Sequence, residues 1–432
     1  MADIQAVENI PQDLMEGEKK DLYEVGEIPP LGHVPKKMYA WAIRKEREGE
    51  PDKAMQVEVV ETPELDSHDV LVLVMAAGVN YNGVWASLGI PVSMFDVHKQ
   101  PYHIAGSDAS GVVYAVGSAV KRWKVGDEVV VHCNQDDGDD EECNGGDPMF
   151  SPSQRIWGYE TPDGAFAQFC RVQDRQLMPR PRHLTWEESA CYTLTLATSY
   201  RMLFGHRPHI LRPGDNVLVW GASGGIGSMA VQLCATAGAN AIGVISDESK
   251  REFVMSLGAK AVINRNDFNC WGQMPTVNTD EYNAWTKEVR KFGKAIWDIT
   301  GKGNDVDFVF EHPGEATFPV SCIIVKRGGM VVFCAGTTGY NLTMDARYVW
   351  MRQKRIQGSH FANLKQATQA NQLVIERRID PCMSEVFSWD DIPKGHMKMM
   401  ANKHLPGNMA VLVSAKLPGL RTIEDAIEAG NG

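Results

Sequence analysis

Long hydrophobic runs are missing from this chain: nothing in its 432 residues approaches the roughly 18 apolar residues that cross a bilayer. No secretory leader is expected either, since the opening Met1–Ala2–Asp3–Ile4–Gln5 has neither a basic nor an apolar stretch, and cytosol is the expected compartment. The nine cysteines are odd in number and scattered, and none is spaced as Cys-x-x-Cys. That argues against a disulfide framework and predicts reduced, mostly buried thiols. Positive charge is in deficit, with a formal net charge of −12. A nucleic-acid binder usually carries a basic field, so that class is disfavoured. Against this repulsive background an anionic ligand needs local clusters of Arg and Lys. Internal repeats and low-complexity segments are absent too.

What is present reads as a globular chain of more than one domain, with 44% hydrophobic and 23% charged residues over a length too great for one small core. Residues 1 to about 35 are polar and predict an arm that packs loosely or caps a partner. Short strand patterns follow at Tyr39–Ile43, Met55–Glu61, Asp69–Ala77, Ser107–Gly117, Glu128–His132 and Ala165–Val172, with regular glycine turns between Val116 and Gly126, as in a small barrel. Gln135–Asp147 is a strongly acidic loop. Its spacing is not that of an EF-hand, and a solvated surface loop is the simpler reading. Thr185 begins a helix as N-cap, with Glu188 in the first turn. From about Thr193 strands and helices alternate. Asn216–Trp220, Ala241–Ile245, Ala261–Asn264, Val306–Glu311 and Gly329–Ala335 then predict a doubly wound parallel sheet. The expected fold class is therefore α/β. Residues 196–357 form a Rossmann-type domain, and 1–195 with 358–432 form a β-rich, GroES-like substrate domain. Tyr282, Trp285, Val289, Phe292 and Ile296 recur at helical steps inside a predicted insertion at 266–300, an aromatic face that must be buried somewhere.

The chain's most informative stretch runs from Val217 to Ser228. An unbroken apolar strand leads into Gly221-x-Ser223-Gly224-Gly225-Ile226-Gly227, and a helix follows. Glycines let backbone approach a pyrophosphate, and the helix N-terminus offers it unpaired N–H groups and a positive dipole end. The spacing resembles the form found in medium-chain dehydrogenase/reductases. Past the second strand stand Ser246, then Asp247, Lys250 and Arg251; Arg265 follows the third strand. A hydroxyl with cations suits a 2′-phosphate and favours NADPH, whereas Asp247 is the kind of residue that binds a free ribose hydroxyl. Lys250 and Arg251 could instead merely solvate a helix.

Zinc alcohol dehydrogenases share the two-domain plan, but their Gly-His-Glu metal position is here Gly106–Ser107–Asp108, without imidazole. Their four closely spaced cysteines are absent, and Cys133 with Cys143 cannot close a tetrahedral site, so no metal is expected. Gly221-x-Ser223-x-Gly225 superficially matches a nucleophile elbow, which the Gly-Gly-x-Gly continuation contradicts.

Seven segments together carry a more specific likeness: Val79–Asn82, Pro101–Asp108, Ile156–Thr161, His183–Glu188, Trp220–Gly225, Phe310–Gly314 and Gly358–Asn363. Over nearly its whole length the chain resembles the crotonyl-CoA carboxylase/reductases, a zinc-free branch of the enoyl reductases. The resemblance implies an NADPH-dependent enzyme that adds hydride at Cβ of an α,β-unsaturated acyl-CoA and captures carbon dioxide at Cα. It implies a carbon dioxide pocket formed by Asn82, Tyr159, Glu160 and His360. Asn82 and His360 would donate hydrogen bonds, Glu160 would fix a water or a neighbouring group, and Tyr159 would shield the pocket while its hydroxyl adds a donor. Arg347 is the implied partner of the coenzyme A nucleotide, with Tyr348 stacking. Lys354 and Arg355 supply further cations, and Arg290, Lys291 and Lys294 are weaker candidates. A cytoplasmic homo-oligomer is implied, a tetramer built as a dimer of dimers, with no nucleic-acid or membrane partner.

Plainer roles stand beside these. Asn82 could cap the helix that follows Asn80–Tyr81, His360 could be a core histidine at the end of a strand, and Glu160 could be a surface residue. A plain enoyl-CoA reductase or a quinone oxidoreductase would share the glycine loop, and a catalytically silent relative could serve as an interaction protein.

Overall fold

A computed structural model describes residues 12–430; the start of the expected N-terminal arm and the last two residues lie outside them. The chain divides into two compact units. One runs up to Leu194 and takes in Asn363–Ile375 and the chain from Pro381 onward; the other comprises Thr195–Ala362 and Glu376–Asp380. The return to the first unit thus comes at Asn363, not at 358, and a short excursion follows it.

The first unit is β-rich. Its central strand, Asp69–Val79, is buried from Val70 onward, as expected of a continuous apolar run with sheet on both sides. One edge pairs antiparallel with Ala109–Val116. The other edge is shared, its first half by Phe169–Gln173 and its second half by Asn408–Leu412. Glu128–Val131 and Leu177–Pro179 extend one side of this sheet, and Met383–Phe387 extends the other. A smaller sheet of Gln56–Glu61, Lys37–Ile43 and His103–Ile104 completes the unit. Thr185 caps the helix Trp186–Ala190 in a reciprocal capping box with Glu188. The described part of the arm is packed rather than loose. Tyr23 and Leu31 are buried, the Tyr114 hydroxyl donates to Pro29 O at 2.8 Å, and Gln168 Nε2 donates to Tyr23 O at 3.1 Å.

The second unit is a six-stranded parallel sheet. Its spatial order is Ala261–Asn264, Asn240–Ile245, Asn216–Val219, Val306–Glu311, Val325–Phe333, Arg355–Gly358. Numbered along the chain this is 3-2-1-4-5-6, the doubly wound dinucleotide-binding order, whose switch point lies between the first and fourth strands. The long helix is Asp280–Thr300, N-capped by Thr279. It is the only α-helix between the third and fourth strands, so it serves as their crossover and is not an addition to one. Its aromatic face needs no outside cover. Tyr282, Trp285, Val289, Phe292 and Ile296 join Trp220, Leu218 and Val309 in the unit's own core. Trp220 stacks on Phe292 at 5.7 Å. No described helix is long and apolar enough to cross a membrane.

Candidate active site

The glycine loop lies at the switch point of the second unit. Strand Asn216–Val219 ends, Gly221 turns at φ 54°, and the helix Gly225–Thr236 begins behind N-cap Gly224. The first backbone bond of that helix runs from Ser228 N to Gly224 O at 2.8 Å. The N–H groups of Gly225, Ile226 and Gly227 precede it and have no partner within the helix. Gly227 is required by contact: a methyl group there would stand 2.2 Å from Gly221 O. Gly221 is crowded from the other side by His312, whose Nε2–H donates to Trp220 O at 2.9 Å. Ser223 is buried beside the turn. This cradle of bare backbone at a helix start fits a dinucleotide pyrophosphate.

Loops after the second and third strands meet nearby in the same unit. Asn266 Nδ2 donates to Ser246 O at 2.7 Å. Asp247, which argued for a free ribose hydroxyl, accepts from Ser249 N at 2.9 Å and caps a short turn. Arg251 is occupied by Glu248 and by Val262 O. The side chains of Lys250 and Arg265 form no hydrogen bond or ion pair among the described residues, although Arg265 O accepts from Trp271 Nε1 at 2.9 Å; this leaves them as the cations at this end of the loop.

The cations expected for coenzyme A are mostly engaged. Arg347 is exposed but bidentate to Asp345, with Nη2 at 2.7 Å. Asp345 also accepts from the Tyr282 hydroxyl at 2.5 Å. Arg347 foremost, then Tyr282, hold Asp345 down to about 2 against its burial. Lys354 is buried and donates to Cys322 O and Ile323 O, both at 2.9 Å; burial pushes it down to about 8. It closes the C-terminal end of helix Phe318–Ile324. Arg355 donates to His206 O and Arg207 O. Tyr348 is half-buried, with Arg352 5.6 Å from its ring centre. On the long helix Lys291 pairs with Glu288 at 2.5 Å.

In the first unit three segments converge. Helix Tyr81–Leu88 begins at Asn80, whose side chain does not cap it. Asn82, in the first turn, does not cap it either; it is buried and donates from Nδ2 to Ser107 Oγ at 3.4 Å. Asn80 Nδ2 instead donates to Asp108 Oδ2 at 2.9 Å. The Gly158 turn lies directly on Gly106, where a methyl group would stand 1.9 Å from Gly106 O. Tyr159 follows, buried, and its hydroxyl donates to Ile90 O at 2.9 Å; the extra donor expected there is thus directed at the backbone. Glu160 Oε2 accepts from Ile156 N at 2.8 Å, closing its own turn.

His360 belongs to the second unit. It lies beyond the strand Arg355–Gly358 as a residue that is exposed in part, so it is not a core histidine. The surrounding protein, and then the Arg201 charge, lower its pKa to about 4. Its neighbour Phe361 is held at φ 38°, a left-handed conformation costly for a bulky side chain.

Comparison with known proteins agrees with this fold. A family model for an "Alcohol dehydrogenase GroES-like domain" matches residues 66–182, and one for a "Zinc-binding dehydrogenase" matches residues 225–376. A crotonyl-CoA carboxylase/reductase of Cereibacter sphaeroides is 78% identical over 412 residues, covering 95% of this chain and 96% of the relative. The chain belongs to the crotonyl-CoA carboxylase/reductase family. A solved crotonyl-CoA carboxylase/reductase superposes with a TM-score of 0.94 at 76% identity, covering 96% of this chain and 97% of the other. The 2-octenoyl-CoA carboxylase reductase CinF, solved in complex with NADP and 2-octenoyl-CoA, does so at 0.84 with 36% identity, covering 92% and 93%.

The zinc in one family model's description does not fit the residues of this family member. Ser107 is a hydroxyl engaged with Asn82. The Asp108 carboxylate is engaged by Asn80, by Thr193 Oγ1 and by Leu194 N. Burial, then the Asp108 charge, pushes the Cys133 thiol well above its ordinary pKa, away from the thiolate that zinc requires. Among the described residues three potential ligands gather at Asp137, Asp140 and Cys143, all solvent-accessible on the acidic loop. Ser107, Asp108 and His312 carry no role that spacing alone discloses: the first two stand where zinc dehydrogenases have metal ligands, and His312 lies within the Phe310–Gly314 segment.

Proposed function

We propose that this chain catalyses the NADPH-dependent reductive carboxylation of an α,β-unsaturated acyl-CoA, crotonyl-CoA and carbon dioxide giving ethylmalonyl-CoA. The observation that carries the reading is the 78% identity to a crotonyl-CoA carboxylase/reductase across 95% of the chain, with the glycine cradle and the Asn82 segment both in place. Gly221, Ser223, Gly224, Gly225, Ile226 and Gly227 receive the pyrophosphate, while Ser246, Lys250 and Arg265 receive the 2′-phosphate. When bound, NADPH supplies a hydride to Cβ of the enoyl thioester.

Negative charge then collects at Cα and the thioester oxygen, and the chain's task is to offer that carbon a carbon dioxide molecule before a proton. Asn82 donates its amide N–H to one carbon dioxide oxygen. His360 donates a ring N–H. With a pKa of about 4 it is neutral at physiological pH and brings no imidazolium proton to the enolate. Tyr159 walls the pocket with its hydroxyl proton directed at Ile90 O, and Glu160 fixes the turn that carries it. A carbon–carbon bond forms between Cα and carbon dioxide, the negative charge ends on the new carboxylate, and no proton is consumed. Arg347, through N–H groups left over from Asp345, and Tyr348 receive the adenine-nucleotide end of coenzyme A. We further infer a cytoplasmic homotetramer, a dimer of dimers; the edge position of strand Arg355–Gly358 in its sheet supports edge-to-edge pairing of cofactor domains.

The test is product analysis with labelled bicarbonate, NADPH and crotonyl-CoA. Label in ethylmalonyl-CoA is expected. Unlabelled butyryl-CoA alone would refute carboxylation and leave a reductase; no NADPH oxidation would refute both.

A further inference from the structure

Asp108 is fully buried, and no cation pairs with it among the described residues. A buried carboxyl without a counter-ion is costly unless hydrogen bonds compensate it. Its donors come from two other segments. Asn80 Nδ2 reaches Oδ2 at 2.9 Å; Thr193 Oγ1 and Leu194 N reach Oδ1, the latter at 2.8 Å. The backbone is tied to the same place, since Gly78 N donates to Asp108 O at 3.1 Å. A methyl group on Gly78 would stand 2.7 Å from Asp108 Cβ.

Asn80 occupies the N-cap position of helix Tyr81–Leu88, where an asparagine ordinarily turns its side chain back to the helix N–H groups. Here it turns to Asp108 instead. Asn82 sits two residues on. Its own contact, to Ser107 Oγ at 3.4 Å, is at the long limit for a hydrogen bond and orients the amide weakly. The direction of that amide therefore follows from how the helix starts, and the helix start follows from Asn80 and Gly78 on Asp108.

We propose that Asp108 is a positioning residue that aims the Asn82 amide at carbon dioxide by anchoring the start of helix Tyr81–Leu88. The inference rests on the reading of Asn82 as a carbon dioxide ligand. Asp108→Asn is nearly isosteric but turns one acceptor into a donor, so either Asn80 Nδ2 or Leu194 N loses its acceptor, while the Thr193 hydroxyl can still donate to Val131 O. Asn80→Ala cuts the same link from the other end and leaves the buried carboxyl its two remaining donors.

The experiment measures the ratio of butyryl-CoA to ethylmalonyl-CoA, the KM for carbon dioxide and the KM for NADPH, with thermal melting as a check on folding. Both variants are expected to raise the butyryl-CoA share at least threefold and to raise the KM for carbon dioxide, with the KM for NADPH within twofold of the parent. Adding either change to Asn82→Leu should shift the ratio no further than Asn82→Leu alone. If Asn82→Leu shifts the ratio but neither variant does, the inference is overturned and the pocket reading stands. If Asn82→Leu leaves the ratio unchanged, the pocket reading falls and the inference falls with it. Should Asp108→Asn fail to fold, Asn80→Ala decides.

Discussion

Gly227→Ala puts the dinucleotide cradle to a quantitative test. The added methyl would stand 2.2 Å from Gly221 O and 2.8 Å from Ala222 Cα, whereas carbon atoms rest at about 3.5–4.0 Å. Helix and turn must part by roughly 1 Å. Both neighbours are backbone, so no side chain can swing aside, and overpacking of this kind costs about 1–3 kcal/mol. The same movement carries the N–H groups of Gly225, Ile226 and Gly227 off the pyrophosphate. A hydrogen bond to a charged group contributes about 1.5–3 kcal/mol, so losing one weakens NADPH binding by about 10- to 150-fold. Fluorescence titration with NADPH measures the Kd, and a melting curve measures the strain, expected as a Tm fall on the order of 5 °C. Gly224→Ala is the internal control for strain: its methyl would meet Gly221 O at an ordinary 3.5 Å, and its φ of −83° suits alanine, so Tm should hold. A Kd for Gly227→Ala within twofold of the parent would refute the cradle.

Lys250→Ala and Arg265→Ala should each weaken NADPH about tenfold while leaving the much weaker NADH unchanged, a contrast readable by titrating both nucleotides. Thr279→Ala removes the cap that accepts from Tyr282 N at 3.1 Å and should lower stability by about 1 kcal/mol in urea unfolding. Burial lifts Asp108 from 3.8 to about 7. The folded pKa is the higher one, so its contribution is complete below about pH 4 and is lost as pH rises through 7, on the order of 4 kcal/mol at most. His103 and His396, lowered by burial to about 3 and about 4, act oppositely: their contribution is present above about pH 6.5 and is lost as pH falls. The stability difference between the parent and Asp108→Asn isolates the carboxyl. It should move against the parent as pH rises from 4 to 8, and a flat difference would contradict the assignment.

Much of the fold could be read from residue order because it is set by local pattern. The apolar strand before Gly221, the helix after it and the alternation beyond it dictate a parallel sheet, and the Thr185–Glu188 box announces its own helix. The fates of charges were not readable in the same way. Arg347 reads as a free cation in the sequence, yet Asp345, two residues before it and itself fixed by the Tyr282 hydroxyl, takes its Nε and Nη2 protons. Lys354 and Arg355 looked like a basic pair, yet each ends on backbone carbonyls that only folding brings within reach. Spacing shows which face a residue occupies, not whether another group has already claimed its hydrogen bonds. Asp108 is opaque for a related reason: its donors Asn80 and Thr193 lie 28 and 85 residues away along the chain, and only folding brings them to it.

The long crossover helix seals its aromatic seam against the sheet that it connects. That seam is thus covered within its own half of the molecule: no second chain is needed to keep Trp285 and Phe292 from water.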